Sequence, residues 1–229
     1  MAQHSTTTDD QRRTGWGGAV GALPGAVLGA TFGAVAKVRR TKPLHPAGRV
    51  GRGTLTITEP APEVGVPLLQ EQGTHDCLAR WSRAAGLPDP LPDVEGLAIR
   101  LEEPRADLLF ASTGIGAVGR FLLMPRGPRS HGSQTTLLPV ASEAGALLFR
   151  MTPVDHDNHP PRRFSLSVAL GGGAWRVVGR LDVAAWGPDE PTRFDPVTHQ
   201  LPGTDQYPLV RFLREPSYQF ARRGATPRT

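Results

Sequence analysis

A chain of 229 residues that is 38% hydrophobic and 21% charged has an ordinary globular balance and is long enough for a sizeable core. The net charge of +5 does not mark a nucleic-acid protein: the arginines are scattered rather than set in one stripe, no nucleic-acid motif occurs, and an anionic ligand would suit them as well. The one cysteine, Cys77, excludes an intramolecular disulfide, favours a reducing compartment and reads as a small core residue.

Residues 1–14 are polar and form a tail. Residues 15–36 carry no charge, and Gly17, Gly21, Gly25, Gly29 and Gly33 recur at a four-residue spacing. On a helix these glycines form one smooth ridge suited to close backbone contact. Pro24 and the scarcity of strongly apolar side chains favour an arm packed on the domain or on a second copy of the chain. The alternative is membrane association. The expected organisation is a tail and arm over 1–40 and one domain over 41–229. The expected location is the cytoplasm, with membrane contact through residues 15–36 as the alternative.

From residue 41 onward, short runs alternate as half-buried strands do. Strands are predicted at 53–58, 97–101, 120–124, 146–151, 164–170 and 175–181, with Gly171–Gly173 as a hairpin turn. Residues 209–223 read as a terminal helix interrupted near Pro216. Strands at this density, without long helices between them, predict an antiparallel barrel or sandwich. Gly114–Gly119 mimics a dinucleotide fingerprint by the letter but lacks a βαβ context. Asp155-His156-Asp157-Asn158-His159 is a compact set of oxygen and imidazole groups. It could hold a divalent ion for phosphodiester hydrolysis, or it is a solvated loop.

Four stretches, in order, carry a resemblance to one known family. Lys42-Pro-Leu-His-Pro-Ala-Gly48 is similar to the catalase segment Arg-Val-Val-His-Ala-Lys-Gly that carries the distal histidine. Ala79-Arg80-Trp81-Ser82-Arg83-Ala84-Ala85-Gly86 is similar to Val-Arg-Phe-Ser-Thr-Val-Ala-Gly, with Asp93-Val-Glu-Gly-Leu-Ala-Ile-Arg100 downstream. Asp107-Leu-Leu-Phe-Ala-Ser-Thr113 resembles Asp-Leu-Val-Gly-Asn-Asn-Thr. Arg193-Phe-Asp-Pro and Asp205-Gln-Tyr-Pro-Leu209 resemble Phe-Asn-Pro and Lys-Asp-Tyr-Pro-Leu, and Arg214-Glu-Pro-Ser-Tyr218 resembles the proximal motif Arg-Leu-Phe-Ser-Tyr.

This resemblance, to the haem catalases and their allene oxide synthase relatives, implies an α+β fold: a trimmed antiparallel β-barrel of catalase type with appended helices. It implies haem b as cofactor, with Tyr218 as the axial iron ligand, and hydrogen peroxide or an organic hydroperoxide as substrate. By the same resemblance His45 is the acid–base residue, Ser82 fixes its ring, and Ser112 takes the place of the distal asparagine. Lys42, Arg80 and Arg222 are assigned to the propionates. Arg214, one helical turn from Tyr218, is assigned to support the phenolate. Because serine is shorter than asparagine, a peroxidase or hydroperoxide rearrangement fits better than rapid peroxide disproportionation. A haem carrier without turnover, or a catalase-fold relic that no longer binds haem, is the further alternative on this fold.

Overall fold

A computed structural model describes residues 48–84, 86–88, 90–155, 158–190 and 192–207. The boundary expected near residue 40 and the helix expected at 209–223 lie outside these residues.

The strands are β1 (Gly48–Ile57), β2 (Gly73–Arg83), β3 (Glu95–Leu101), β4 (Ala106–Ser112), β5 (Gln134–Thr135), β6 (Val140–Ser142), β7 (Gly145–Pro153), β8 (Arg163–Leu170) and β9 (Arg176–Val183). A single helical turn, α1 (Gly116–Gly119), and two short 3-10 turns at Pro62–Val64 and Pro67–Leu69 complete the described elements. Every strand pair is antiparallel, in the order β5-β4-β3-β2-β1-β9-β8-β7-β6. The sheet closes where β5 pairs with β7, Gln134 opposite Met151. Eight strands therefore make a closed barrel, and β6 continues the line of β5 along the same edge of β7. Closure leaves no free edge on the eight strands of the ring.

Alternation decides what fills the barrel. On β2, Cys77, Ala79 and Trp81 turn inward; on β3, Leu97, Ile99 and Leu101; on β7, Leu147, Phe149 and Met151. Leu55, Ile57, Phe164, Leu166 and Leu181 join them, all almost fully buried. The interior is thus packed with side chains rather than hollow. Gly179 marks the tightest approach between β9 and β1: a Cβ there would lie 2.1 Å from the Thr56 carbonyl oxygen.

The expected strands at 53–58, 97–101, 146–151, 164–170 and 175–181 form, several of them longer than predicted, and Gly171–Gly173 is the β8–β9 turn. The expected strand at 120–124 does not form. The Phe121 and Leu122 N–H groups bond back to Val118 and Gly119, so they serve the α1 turn and not a ladder. Cys77 is a core residue, and burial pushes its thiol up to about 12.

Candidate functional site

The β1–β2 ladder sets Gly48 opposite Ser82 and Val50 opposite Arg80. Since Ala79 and Trp81 point into the core, Arg80 and Ser82 project from the outer face of β2. His45 and Lys42 immediately precede Gly48 in sequence but lie outside the described residues. The Arg80 guanidinium donates from Nε and Nη2 to the two carboxylate oxygens of Asp189, both at 2.8 Å. Arg80 holds the Asp189 carboxyl below its usual range against the opposing effect of burial, and the Gly48 and Glu190 N–H groups help. A Cβ at Gly48 would sit 2.9 Å from the Arg80 guanidinium carbon, so glycine lets the start of β1 lie over that cation.

Beside this cation the outer face carries a patch of small side chains. Ser82 stands opposite Gly96, which stands opposite Ala111; Arg80 stands opposite Ala98. The floor next to Ser82 therefore carries one hydroxyl and the small residues Gly96, Ala98 and Ala111, and Leu109, opposite Ala98, rises at its β4 side.

Ser112 has the opposite parity. It shares the inward side of β4 with Leu108 and Phe110 and is fully buried. Its Oγ donates to the Met124 carbonyl at 2.7 Å and accepts the Glu95 N–H at 3.0 Å. Ser82 and Ser112 thus belong to opposite faces of the barrel wall. Next to Ser112, at the same end of the interior, Glu95 Oε1 lies 2.9 Å from His131 Nδ1, and His131 Nε2 lies 3.0 Å from His159 Nδ1. The Trp81 ring meets His131 edge-on at 5.6 Å. This chain of groups was missed by sequence reasoning, because its members lie on separate loops and strands with no shared local pattern.

The third and fourth resembling stretches meet in space. Asp107, with a fully buried carboxylate, receives both Nε and Nη2 of Arg100 at 2.7 Å and the Asp195 N–H at 2.6 Å, and lies 3.2 Å from His199 Nδ1. Burial alone would raise this carboxyl; the bonds from Arg100, Asp195 and His199 outweigh it and hold it below its usual range. Arg100 also donates to the Arg193 carbonyl and stacks on Phe194, 5.1 Å from the ring centroid. Asp195 in turn accepts the N–H groups of Val197 and Thr198.

Of the described residues of the 155–159 run, Asp155 and His159 turn to different partners. Asp155 is spent on structure: its carboxylate accepts the N–H of Arg163 at 3.0 Å, the N–H of Arg162, and Asn158 Nδ2 at 2.8 Å. Burial would raise this carboxyl, and these bonds hold it below its usual range. His159 turns instead to His131. His156 and Asp157 lie outside the described residues, and among the described residues no group of three ligating side chains could hold a metal ion. Gly116–Gly119 within the fingerprint-like run is the single turn α1, not the start of a dinucleotide-binding helix. Arg214, Tyr218 and Arg222 lie outside the described residues, as do residues 15–36; among those described, no helix is long and apolar enough to cross a membrane.

No family model matches the sequence, and no curated protein matches it. The three-dimensional comparison is positive. A fungal catalase superposes with a TM-score of 0.60 at 14% identity, covering 85% of this chain and 62% of that one. A bacterial catalase gives 0.55 at 14% identity over 84% and 59%, and catalase A from Saccharomyces cerevisiae gives 0.55 at 11% over 83% and 62%. The fold is that of the catalases. The chain spans about three fifths of the length of these catalases. At such identities the likeness concerns the catalase barrel and its strand order, which the eight-stranded closure reproduces.

Proposed function

We propose that this protein binds haem b against the outer face of β2–β4 and reacts with hydrogen peroxide or an organic hydroperoxide. The observation that carries the proposal is the patch of small residues Ser82, Gly96, Ala98 and Ala111, bounded by Leu109, on a catalase-type barrel, with the Arg80 cation at its border and Gly48 lying over it. A porphyrin needs small side chains beneath it and cations for its propionates; Gly96, Ala98 and Ala111 serve the first need, and Arg80, shared with Asp189, would serve the second. Arg80, with Lys42 and Arg222, would hold the propionates, and Tyr218, supported by Arg214, would bind the iron. The iron porphyrin supplies the redox chemistry of peroxide cleavage.

The protein's own part is proton handling. His45 takes the proton from one peroxide oxygen and delivers it to the other, work an imidazole does near neutral pH. Ser82, opposite the residue where β1 begins, would fix the tautomer of His45 by a hydrogen bond to the ring. Ser112 faces the interior, on the other side of the wall from this floor, with its hydroxyl proton held by the Met124 carbonyl, so it does not stand where the distal asparagine would orient a second peroxide. That placement favours slow disproportionation, and with it the reading of a peroxidase or of a haem carrier without rapid turnover.

The test is spectroscopic. Full-length protein titrated with hemin is expected to take up one equivalent and show a Soret band with the charge-transfer features of a phenolate ligand. Tyr218→Phe removes those features. His45→Ala keeps the haem and slows the peroxide reaction. A folded protein that takes up no hemin overturns the proposal, and full peroxide reactivity in His45→Ala removes His45 from its role.

A further inference from the structure

A second feature lies on the outer face of β7 and β8. Arg150 projects outward between the inward-facing Phe149 and Met151. Arg120 follows α1, and Trp175 precedes β9. Both guanidinium carbons lie 4.6 Å from the centroid of the Trp175 indole. Arg120 is only 5% exposed. Its Nε donates to the Gly116 carbonyl at 3.0 Å, and its Nη1 to the carbonyls of Gly173 at 2.9 Å and Gly171 at 3.5 Å. Arg150 donates from Nη2 to Ser167 Oγ at 3.2 Å, and its buried Nε has no partner.

Neither arginine is paired with a carboxylate among the described residues, whereas Arg80 and Arg100 each receive a bidentate one. Burial weakens the hold of both groups on their protons, and Arg120 adds repulsion at Arg150. Two partly desolvated like charges on one ring are costly unless an anion joins them. Carbonyl and hydroxyl acceptors satisfy some of the N–H donors but supply no countercharge.

The rim around this cationic floor is apolar. Ile115 is 83% exposed, Val118 41%, Leu170 39% and Val177 46%. Ile115 and Val118 flank the Gly116 that Arg120 binds, Leu170 precedes Gly171, and Val177 is the cross-strand partner of Ser167. A multiply charged anion would want more cations and no such rim.

We propose that Arg120, Arg150 and Trp175 form a binding site for an aliphatic monocarboxylate, its head on the two guanidinium groups and its chain along Ile115, Val118, Leu170 and Val177. The site is separate from the β2–β4 floor and does not depend on haem.

The test uses the full chain and four probes in calorimetric titrations: decanoate below its micelle concentration, decanol, inorganic phosphate, and vesicles of anionic phosphatidylglycerol. Decanoate is expected to bind one to one, with quenching of Trp175 fluorescence that Trp175→Phe abolishes. Decanol is expected to bind at least about tenfold more weakly, as loss of a charge-assisted bond implies. Phosphate is expected not to bind measurably. Arg150→Gln should weaken decanoate by about tenfold or more while leaving the circular-dichroism melt in place. Should that variant not fold, Val177→Ser tests the chain end of the site and should weaken decanoate but not shorter acetate. Equal affinity for decanol and decanoate, equal affinity for phosphate and decanoate, or unchanged binding in a folded Arg150→Gln each overturns the proposal. Binding to vesicles without binding to free decanoate also overturns it, in favour of a lipid surface.

Discussion

Asp107 is the point at which the wall of the barrel holds the segment that follows β9, and its removal has a calculable cost. In Asp107→Ala the Arg100 guanidinium loses two bonds of 2.7 Å, and the Asp195 N–H and His199 Nδ1 lose their shared acceptor oxygen. Breaking a buried charge pair from one side costs about 3–5 kcal/mol. The Arg100 side chain is 17% exposed and can recover some water, which sets the expectation at the lower end, about 3 kcal/mol. Asp107→Asn keeps one acceptor and one donor and should cost less, about 1.5–2 kcal/mol. Urea titration followed by circular dichroism measures both. With a slope of about 2 kcal/mol/M, the alanine variant should lower the midpoint by about 1.5 M without changing the slope. In the double variant Asp107→Ala/Arg100→Leu most of the loss should already be present in either single variant, a coupling of about 1 kcal/mol or more. A midpoint shift in Asp107→Ala of less than about 0.3 M, or additive single losses, would refute the claim that this carboxylate fastens residues 193–199 to β3 and β4.

Other consequences can be checked in the same material. Phe149, fully buried in the barrel, should cost about 3–5 kcal/mol on replacement by alanine and lower the melting temperature by roughly 10 °C. Cys77 should resist iodoacetamide at pH 8 in the native protein and react once urea is added; its thiol titrates near 9.0 unfolded and about 12 folded, so the unfolded chain loses that proton first. Stability is therefore fully present below pH 9.0 and should fall above it by up to about 1.4 kcal/mol per pH unit, a decline that Cys77→Ala removes. At the acid end, Asp107, Asp155 and Asp189 all lie below their usual 3.8, so the unfolded chain binds protons first. Stability should hold above that pH and be lost as pH falls below it, with Asp107→Asn flattening part of the decline in urea titrations from pH 5 to 2 (roughly the carboxylate range). Ala98→Trp, on the outer floor, should block hemin uptake while shifting the melt by no more than about 1 kcal/mol equivalent, and unchanged uptake would move the haem elsewhere.

The barrel was legible wherever a strand carried apolar residues on one face only. The runs at 97–101 and 164–170 announce themselves by alternation, and their neighbours follow. Strand β2 hid itself, because its first half, Gly73-Thr-His-Asp, sets polar groups on both faces where it leaves the core. The run at 120–124 misled for the opposite reason: Phe121 is apolar and buried, yet its backbone closes a turn after α1. Side-chain parity also escaped the sequence at one decisive place. Ser82 and Ser112 resemble two members of one pocket, but alternation from Trp81 and from Phe110 sends them to opposite sides of the wall. Partners separated by 109 residues, as Arg80 and Asp189 are, or by 88, as Asp107 and the Asp195 N–H are, leave no periodic trace in the chain.

The packed interior restricts where this fold can hold a large ligand. Phe149, Phe164, Leu97, Ile99, Leu101 and Leu166 fill the space between the walls, and none of them can leave without opening a cavity. A flat macrocycle therefore has to lie against the outer surface, where its second face must be covered by chain lying outside the barrel. Arg80 and Ser82 already stand on that surface, at the end of β2 where β1 begins. Asp189 completes the preparation from the other direction: it comes after β9, yet it binds the β2 cation and the first N–H of β1. A propionate reaching Arg80 must share it with this carboxylate, so Asp189→Asn should tighten hemin binding if Arg80 serves a propionate and leave it unchanged if Arg80 serves only the barrel.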